Sequence, residues 1–222
     1  MGDHAGLTGT GHAVALMLTL ADSRLPIGGH VHSGGIEQAI ADRMVTDAAS
    51  LRDFVHRRLH SSALVGASVA ASVADGVLDE TRAQVEVDAR TPSAAARAAS
   101  LAQGRGLLRL ARRRWPAADY TAHVPRSHLP VITGTVGRMS GLDGHQSALV
   151  FTYTAMTGMA TAGQRLLALD PAEVAIVTLD LAPLCAEVAA RAARDGLADL
   201  SDPLFDVLAE RHQIRDMPLF AS

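Results

Sequence analysis

Apolar side chains recur along most of the chain at the spacing of a helix rather than that of a strand. Leu51, Val55 and Leu59 follow Asp47 at intervals of four residues, which places their side chains on one helical face. The uncharged stretch from Ser147 to Gly163 predicts a buried central helix, since its threonines and glycines make it a poor membrane span. No segment alternates convincingly between apolar and polar residues, as a half-buried strand does. The pattern therefore predicts an all-α fold.

Prolines and capping residues mark the ends of several predicted helices. Three sites pair an N-cap residue with proline at the first helical position: Thr91-Pro92, Asp170-Pro171 and Asp202-Pro203. Pro130 opens another predicted helix. Proline inside a helix removes a backbone hydrogen bond, so Pro183 is expected to kink or split the helix that starts at Pro171.

We expect one domain, because 222 residues can bury a substantial core and no linker divides them. Residues 1–11, rich in glycine and threonine, are predicted to be disordered. Residues 12–210 are predicted to form a single-domain bundle of about eight to ten helices, and residues 211–222 a C-terminal arm. No basic segment followed by an apolar run opens the sequence, so a cytoplasmic protein is expected.

The composition excludes several kinds of chemistry. All 20 basic side chains are arginine, so there is no lysine for a phosphate-binding loop, a Schiff base or a general base. Cys185 is the only cysteine, which excludes an internal disulfide and a CxxC metal site. The formal charge of −3 gives no electrostatic reason to expect nucleic-acid binding. Without the spacing of a nucleophile elbow either, the sequence predicts no catalytic residues and no cofactor.

Two pairs of histidines suggest metal sites, but neither pair has the partners that such a site needs. His56 and His60 lie four residues apart on a predicted helix, yet the glutamate of an HExxH motif is absent and neighbouring arginines repel a cation. His30 and His32 lie beside glycines without a nearby carboxylate or cysteine. We therefore predict no metal ligands.

A glycine-rich segment is expected to form a turn between the first two helices. The residues from Leu25 to Gly29 end a predicted helix over His12 to Arg24. Ser33 is the predicted N-cap of a second helix, from Gly34 to about Arg43. The glycines resemble an anion cradle only weakly, because no strand precedes them and no basic side chain accompanies them. A tight turn that lets two helices approach is favoured.

Gly104 and Gly106 lie inside a strongly helical segment, where each costs about 1 kcal/mol relative to alanine. A close helix crossing is the expected compensation. A basic stripe follows in the sequence, formed by Arg109, Arg112, Arg113 and Arg114. Such a stripe is ordinarily a solvated face, and it can also dock an acidic protein.

The residues from Leu20 to Glu37 read LADSRLPIGGHVHSGGIE. This segment resembles the UreF family of urease accessory proteins, whose members read LADSxLPxGG, an aromatic residue, and a short run ending in SxGLE or SGGLE. His30 replaces the usual aromatic residue and Ile36 the usual leucine. Three further segments are similar to family motifs: residues 99–108, residues 128–134, and Arg211-His212 with Leu219-Phe220.

Two segments depart from the family pattern. Residues 165–171 read RLLALDP where the family tends to read RLxPLGQ, so the Gly-Gln turn is missing. The tail has Gln213, Pro218 and Ala221 at positions where glutamate and arginine are common. The second departure removes charges that help anchor a tail to a partner.

The resemblance implies an all-helical protein that forms a homodimer and binds the accessory protein UreD, also called UreH. That complex recruits the GTPase UreG and acts on apo-urease, so that nickel reaches the active site. The chain is then a non-catalytic scaffold that couples the nucleotide state of the GTPase to metal delivery. We expect its C-terminal arm, with Leu219 and Phe220 as apolar anchors, to dock in a groove of the UreD-type partner. The residues assigned to partner binding or to the family motifs are Leu25, Pro26, Gly28, Gly29, His32, Ser33, Gly35, Glu37, Gly104, Arg105, Arg211, His212, Leu219 and Phe220.

Two rival functions stay open. A histidine-based nickel-binding metallochaperone would use His30, His32 and His212. A small helical enzyme would have its site around Asp119, His123 and His128.

Overall fold

The computed structural model describes residues 4–25, 32–199, 202–215 and 219. The helices in these ranges are α1 (His4–Leu20), α2 (Ile36–Ala41), α3 (Ala48–Arg58), α4 (Leu64–Ala74), α5 (Glu80–Arg90), α6 (Ala94–Arg114), α7 (Leu129–Met139), α8 (Gly144–Leu167), α9 (Pro171–Arg194) and α10 (Pro203–Gln213). A π-helical turn, Leu59–Ala63, joins α3 to α4. The described residues contain no β-strand, so the prediction of an all-α fold is confirmed.

Helix α4 lies at the centre of the bundle, because every one of its residues is buried. Helices α7, α8 and α9 pack against it, and the largest hydrophobic cluster joins α4 to α2, α3, α8, α9 and α10. Small side chains allow these helices to approach closely: a Cβ on Gly66 would lie only 2.4 Å from the ring of Phe151 in α8. The result is one domain built around α4.

Helix α8 is buried on one side only, which differs from the buried central helix predicted over residues 147–163. Met156 faces the core with 0% exposure, whereas Tyr153 is 40% exposed. Threonine hydroxyls of α8 donate to carbonyls one turn earlier, as Thr154 Oγ1 does to Val150 O at 2.9 Å. These bonds satisfy the threonine hydroxyls within the helix. The absence of charged residues from 147 to 163 therefore does not require the helix to be completely buried.

No helix in the described ranges is long and apolar enough to cross a membrane.

Capping residues explain where several helices begin. Asp170 and Asp202 cap α9 and α10 as predicted. Helix α6 begins later than predicted, with Ser93 rather than Thr91 as its N-cap. Ser93 Oγ also donates to Glu210 of α10 at 2.7 Å, a contact between residues far apart in the sequence. That contact selects the later start.

Pro183 neither splits nor ends α9, which continues to Arg194. Of the two outcomes predicted for Pro183, a kink or a split of the helix, the split does not occur. Proline leaves the carbonyl of Leu179 without its helical partner. Both residues lie on the exposed face of α9, with Leu179 71% exposed, so water can bond to that carbonyl.

Helices α1 and α5 differ from the sequence prediction. Helix α1 begins at His4, so helix occupies part of the segment predicted to be disordered, residues 1–11. Glycines weaken a helix there without forbidding it, and the segment has no proline. Helix α5 was not predicted. Asp79 caps it, while Ala83 and Val87 pack into a small cluster with α4 and α7.

Candidate functional site: the junction of the motif segment and the C-terminus

Part of the glycine-rich motif segment lies outside the described residues. Of the predicted site residues, Pro26, Gly28 and Gly29 lie outside the described residues, together with His30. Phe220 also lies outside them, after Leu219. On the near side of the gap, the backbone N–H of Leu25 donates to Asp22 O at 3.0 Å. On the far side, the chain resumes at His32.

The second glycine pair of the motif forms a tight turn just before α2. This turn packs against α8 and α10. Gly34 and Gly35 have φ angles of 62° and 91°, which favour glycine. A Cβ on Gly34 would lie 3.0 Å from Met159 Cγ of α8, and Gly35 lies against Leu208 of α10. The turn therefore lets the backbone enter α2 in close contact with two other helices.

Ser33 does not cap α2, so that prediction is wrong. The N-cap is Gly35, no side chain caps the helix, and the Ser33 carbonyl accepts the N–H of Ile36 at 3.2 Å. The Ser33 hydroxyl is buried and has no hydrogen-bond partner among the described residues. Two residues with positive φ separate Ser33 from the helix, and this backbone path takes its hydroxyl out of the capping position.

The side chain of Glu37 joins α2 to the C-terminal segment. Its side chain is 4% exposed and that of His212 is 3% exposed. His212 Nε2 lies 2.8 Å from Glu37 Oε2, and the backbone N–H of Leu219 donates to Glu37 Oε1 at 2.8 Å. Both carboxylate oxygens therefore accept hydrogen bonds from the last helix and the tail.

Further contacts surround this pair. Arg211 Nη1 lies 2.7 Å from Asp42 Oδ2, and Asp42 also accepts from Gln38 Nε2 at 3.0 Å. Arg215 Nη1 donates to the backbone oxygen of Glu37 at 3.3 Å. We call the following set the motif–tail junction: Glu37, Asp42, Arg211, His212 and Leu219.

The geometry of the motif–tail junction suits holding the tail rather than catalysis. The carboxylate of Glu37 and the imidazole of His212 are buried against each other, so neither meets a dissolved substrate. The side chain of Leu219 is 78% exposed although its backbone is bound. An apolar side chain presented on a fixed backbone is typical of an anchor for a protein partner.

Gly104 and Arg105 are adjacent in α6 but occupy different environments. Gly104 is buried, and a Cβ there would lie 1.8 Å from Ser127 O. Gly106 is buried as well, whereas Arg105 is exposed. The predicted close approach is observed at Gly104, but the neighbour is the backbone segment before α7 rather than a second helix.

A buried network fixes the segment before α7. His128 is 0% exposed, and its Nδ1 lies 3.1 Å from Ser100 Oγ while its Nε2 lies 3.0 Å from Asp88 Oδ1. Its backbone N–H donates to Gln84 Oε1 at 2.9 Å. Ser100 Oγ also accepts the N–H of Leu129, the first residue of α7, at 3.2 Å. The network links α5, α6 and α7 and encloses the imidazole, which indicates a structural role.

The enzyme alternative places Asp119, His123 and His128 in one site, but these side chains bond to different partners. Asp119 accepts hydrogen bonds from the backbone and hydroxyl of Thr121. His123 Nε2 lies 3.2 Å from Thr135 Oγ1. The described contacts therefore do not assemble a catalytic site from these residues.

Stability is expected to fall in mild acid, because burial lowers the pKa of His123 and that of His128 below the usual 6.5. Below pH 6.5 the unfolded chain binds protons that the folded protein still excludes, so unfolding is favoured as the pH falls. Each histidine contributes up to about 1.4 kcal/mol per pH unit between 6.5 and its folded pKa. The urea midpoint, measured from about pH 8 to about pH 5.5, should be flat above 6.5 and decline below it. The urea midpoint of the His123→Gln variant should decline less steeply with falling pH. A wild-type midpoint that stays constant across this pH range would contradict the prediction.

His56 and His60 do not form a metal site with other described residues, and His30 of the second pair lies outside those residues. Among the described residues, no three histidine, cysteine or acidic side chains form a group suited to a metal ion. The rings of His56 and His60 are in contact, with centroids 4.7 Å apart, and the guanidinium of Arg57 beside them pairs with Asp202. His212, a ligand in the metallochaperone alternative, bonds to Glu37.

Comparison with known sequences decides the family. The UreF family profile matches residues 45–182, more than half of the chain. The chain belongs to the UreF family. Its membership also rests on relatives named urease accessory protein UreF that align over nearly the full length of the chain.

Three of these relatives come from mycobacteria. A protein of Mycobacterium sp. strain JLS is 59% identical over 206 residues, which cover 93% of this chain and 97% of the relative. One of Mycobacterium marinum strain M is 57% identical over 209 residues, covering 94% and 99%. One of Mycobacterium tuberculosis strain H37Rv is 56% identical over 210 residues, covering 95% and 99%. This UreF-family chain therefore aligns with almost all of each relative.

The pairing of Glu37 with His212 was not predicted, although each residue was assigned to a family motif. The two residues are 175 positions apart, and both lie outside the part matched by the UreF profile. A glutamate on an otherwise buried face of a short helix is the only local signal, because a buried carboxylate requires a partner. That signal does not identify which partner is used.

Proposed function

We propose that this UreF-family chain is a non-catalytic accessory protein in urease assembly. In this proposal it binds a UreD/UreH-type protein through its C-terminal arm, and the complex brings the GTPase UreG to apo-urease for nickel insertion. The names of the relatives support the urease role. The homodimer, the cytoplasmic location and the identity of these partners are inferred from the family resemblance.

The motif–tail junction is the observation that carries the proposed binding role. Leu219 has its backbone held by Glu37 while its side chain extends into solvent. A binding residue whose backbone is already ordered loses less conformational entropy on association. The junction thereby prepares the tail for docking before the partner arrives.

A scaffold of this kind performs no bond chemistry. It affects nickel delivery by binding the GTP-loaded and the GDP-loaded forms of UreG with different affinities, since a ligand shifts an equilibrium only by its differential affinity. The buried state of Glu37 and His212 agrees with a positional role for both residues.

Removing the tail after Arg215 is expected to abolish co-purification with the UreD-type partner and to leave the fold intact. The cut retains His212, whose loss would disturb the core, and removes Leu219 with its exposed side chain. Affinity should fall at least about tenfold, as for the loss of a central anchor. Pull-down and titration with the purified partner measure the loss, and circular dichroism checks helicity.

Two single variants sharpen this test. Leu219→Ala should lower the affinity for the UreD-type partner by about tenfold. Ile214→Ala should change that affinity by less than about twofold. Both side chains are apolar and exposed, at 78% and 83%, but only Leu219 belongs to the motif–tail junction. Undiminished binding by the shortened chain would refute the docking role of the tail.

A further inference from the structure

The exposed side of α6 carries a row of arginines. Arg105, Arg109, Arg112 and Arg113 are all exposed, and their spacing of four, three and one residues places them on one face of the helix. They extend over about 12 Å along the helix axis. We call these four residues the α6 arginine face.

Charges on the α6 arginine face are not neutralised within the fold. In the ranges that the structure covers, no carboxylate lies within 4.0 Å of any of its four guanidinium groups. Other arginines of the chain do pair, as Arg126 does with Asp88 at 2.8 Å and Arg57 with Asp202 at 2.7 Å. The sequence has no acidic residue from 89 to 118, so α6 has no nearby carboxylates of its own.

Packing holds α6 in a fixed orientation beneath these arginines. Leu107, Leu108 and Ala111 are buried in a cluster with α7. The guanidinium of Arg112 lies over the ring of Tyr120, 5.8 Å from its centroid. The α6 arginine face is therefore a positively charged surface on a rigid support, in a chain whose overall charge is −3.

This surface is separate from the motif–tail junction. The start of α6 contacts α10 through Ser93 and Glu210. Arg109 lies 16 residues farther along the same helix, which corresponds to about 24 Å. A protein bound at the tail leaves the α6 arginine face accessible to a second component.

We propose that the α6 arginine face binds a carboxylate-rich surface of a second protein in the urease assembly complex. The inference rests on the proposed function and adds a second contact to it. Guanidinium groups form paired hydrogen bonds with carboxylates, and a rigid row of them selects a complementary acidic surface.

An anionic membrane and a nucleic acid fit the α6 arginine face less well than an acidic protein surface does. No large apolar side chain of α6 is exposed, so the helix lacks the group that would insert into a membrane. The remainder of the chain is more acidic than the whole, which opposes the approach of a nucleic acid.

The test reverses two charges of the α6 arginine face in Arg109→Glu/Arg113→Glu. A matched control, Arg52→Glu/Arg165→Glu, changes the net charge equally at two exposed arginines, on α3 and α8. The full-length wild-type chain and both variants are titrated separately with the purified UreD-type partner, UreG and apo-urease, at about 50 and about 300 mM salt. Duplex DNA and phosphatidylserine vesicles are titrated in the same way. Thermal unfolding checks that each variant is folded.

The proposal predicts that the α6 variant binds one of the three components at least about tenfold more weakly at low salt. The control should differ from wild type by less than about twofold, and salt should weaken the wild-type complex more than the α6 variant's. The chain shortened after Arg215 should retain this salt-sensitive binding if the two contacts are independent.

Three results would overturn the proposal while leaving the proposed function in place. One is equal binding of all three components by the wild-type chain and the α6 variant. Another is an equal loss in the control, which would indicate net charge rather than a specific surface. A third is a loss confined to duplex DNA or to phosphatidylserine vesicles. If the wild-type chain bound none of the three components, the proposed function would fail first and this inference with it.

Discussion

Replacing Gly104 by alanine is expected to lower the free energy of unfolding by about 3 kcal/mol. The new Cβ would lie 1.8 Å from the carbonyl oxygen of Ser127 and 2.8 Å from its carbonyl carbon. That carbonyl cannot move aside freely, because the next residue, His128, is bonded to Ser100 and Asp88. Urea unfolding followed by circular dichroism measures the difference between variant and wild type.

Gly158→Ala is the matched control for this substitution. Gly158 also lies inside a helix, α8, but among the described residues no heavy atom beyond its chain neighbours and the adjacent backbone of α8 lies within 4 Å of the position that its Cβ would occupy. Alanine should therefore raise stability by about 0.5–1 kcal/mol through helix propensity alone. Opposite signs at the two glycines would separate packing from propensity. A Gly104→Ala variant as stable as wild type would contradict the close approach of α6 to the Ser127 carbonyl.

Replacing His212 by alanine is expected to cost about 3 kcal/mol of stability and to release the tail. The substitution removes a ring that is 3% exposed and a hydrogen-bond donor from the buried Glu37 carboxylate. The carboxylate stays buried with one charge-assisted bond fewer. Urea unfolding measures the stability, and hydrogen exchange at the Leu219 amide reports on the tail, since that amide is protected by Glu37.

Arg211→Ala is the control on the same helix. Arg211 pairs with Asp42, but its side chain is 54% exposed, so the loss should be no more than about 1 kcal/mol. His212→Gln should recover part of the lost stability, because its amide can donate to the same carboxylate oxygen. Equal stability of His212→Ala and Arg211→Ala would show that the buried pair does not hold the tail.

Local interactions determined much of the secondary structure, and the sequence predicted those parts well. Asp170 and Asp202 cap helices followed by proline, and the bonds that stabilise such starts lie within three residues. The helical spacing of Leu51, Val55 and Leu59 identified residues of α3 and the following turn, and all three are buried. These features need no information from distant residues.

Three of the differences from the predictions concern effects of distant packing or solvent. The start of α6 depends on a bond between Ser93 and Glu210. The continuity of α9 depends on the exposure of the face that carries Pro183. The stretch over residues 147–163 has no charged residues, as a core helix often does, but its threonine hydroxyls bond to carbonyls of the same helix. The fully buried helix is α4 instead.

The sequence by itself determined the fold class, the starts of α9 and α10, and the family resemblance carried by residues 20–37. It also identified Glu37, His212 and Leu219 as motif residues, but as members of separate segments. Only the tertiary structure brought them together, because which partner a buried carboxylate meets depends on how α2 and α10 pack. The same holds for Gly104, whose neighbour is a carbonyl from another part of the chain. Hydrogen bonds within a helical turn are encoded by adjacent residues, whereas contacts between distant residues form only when the whole core is assembled.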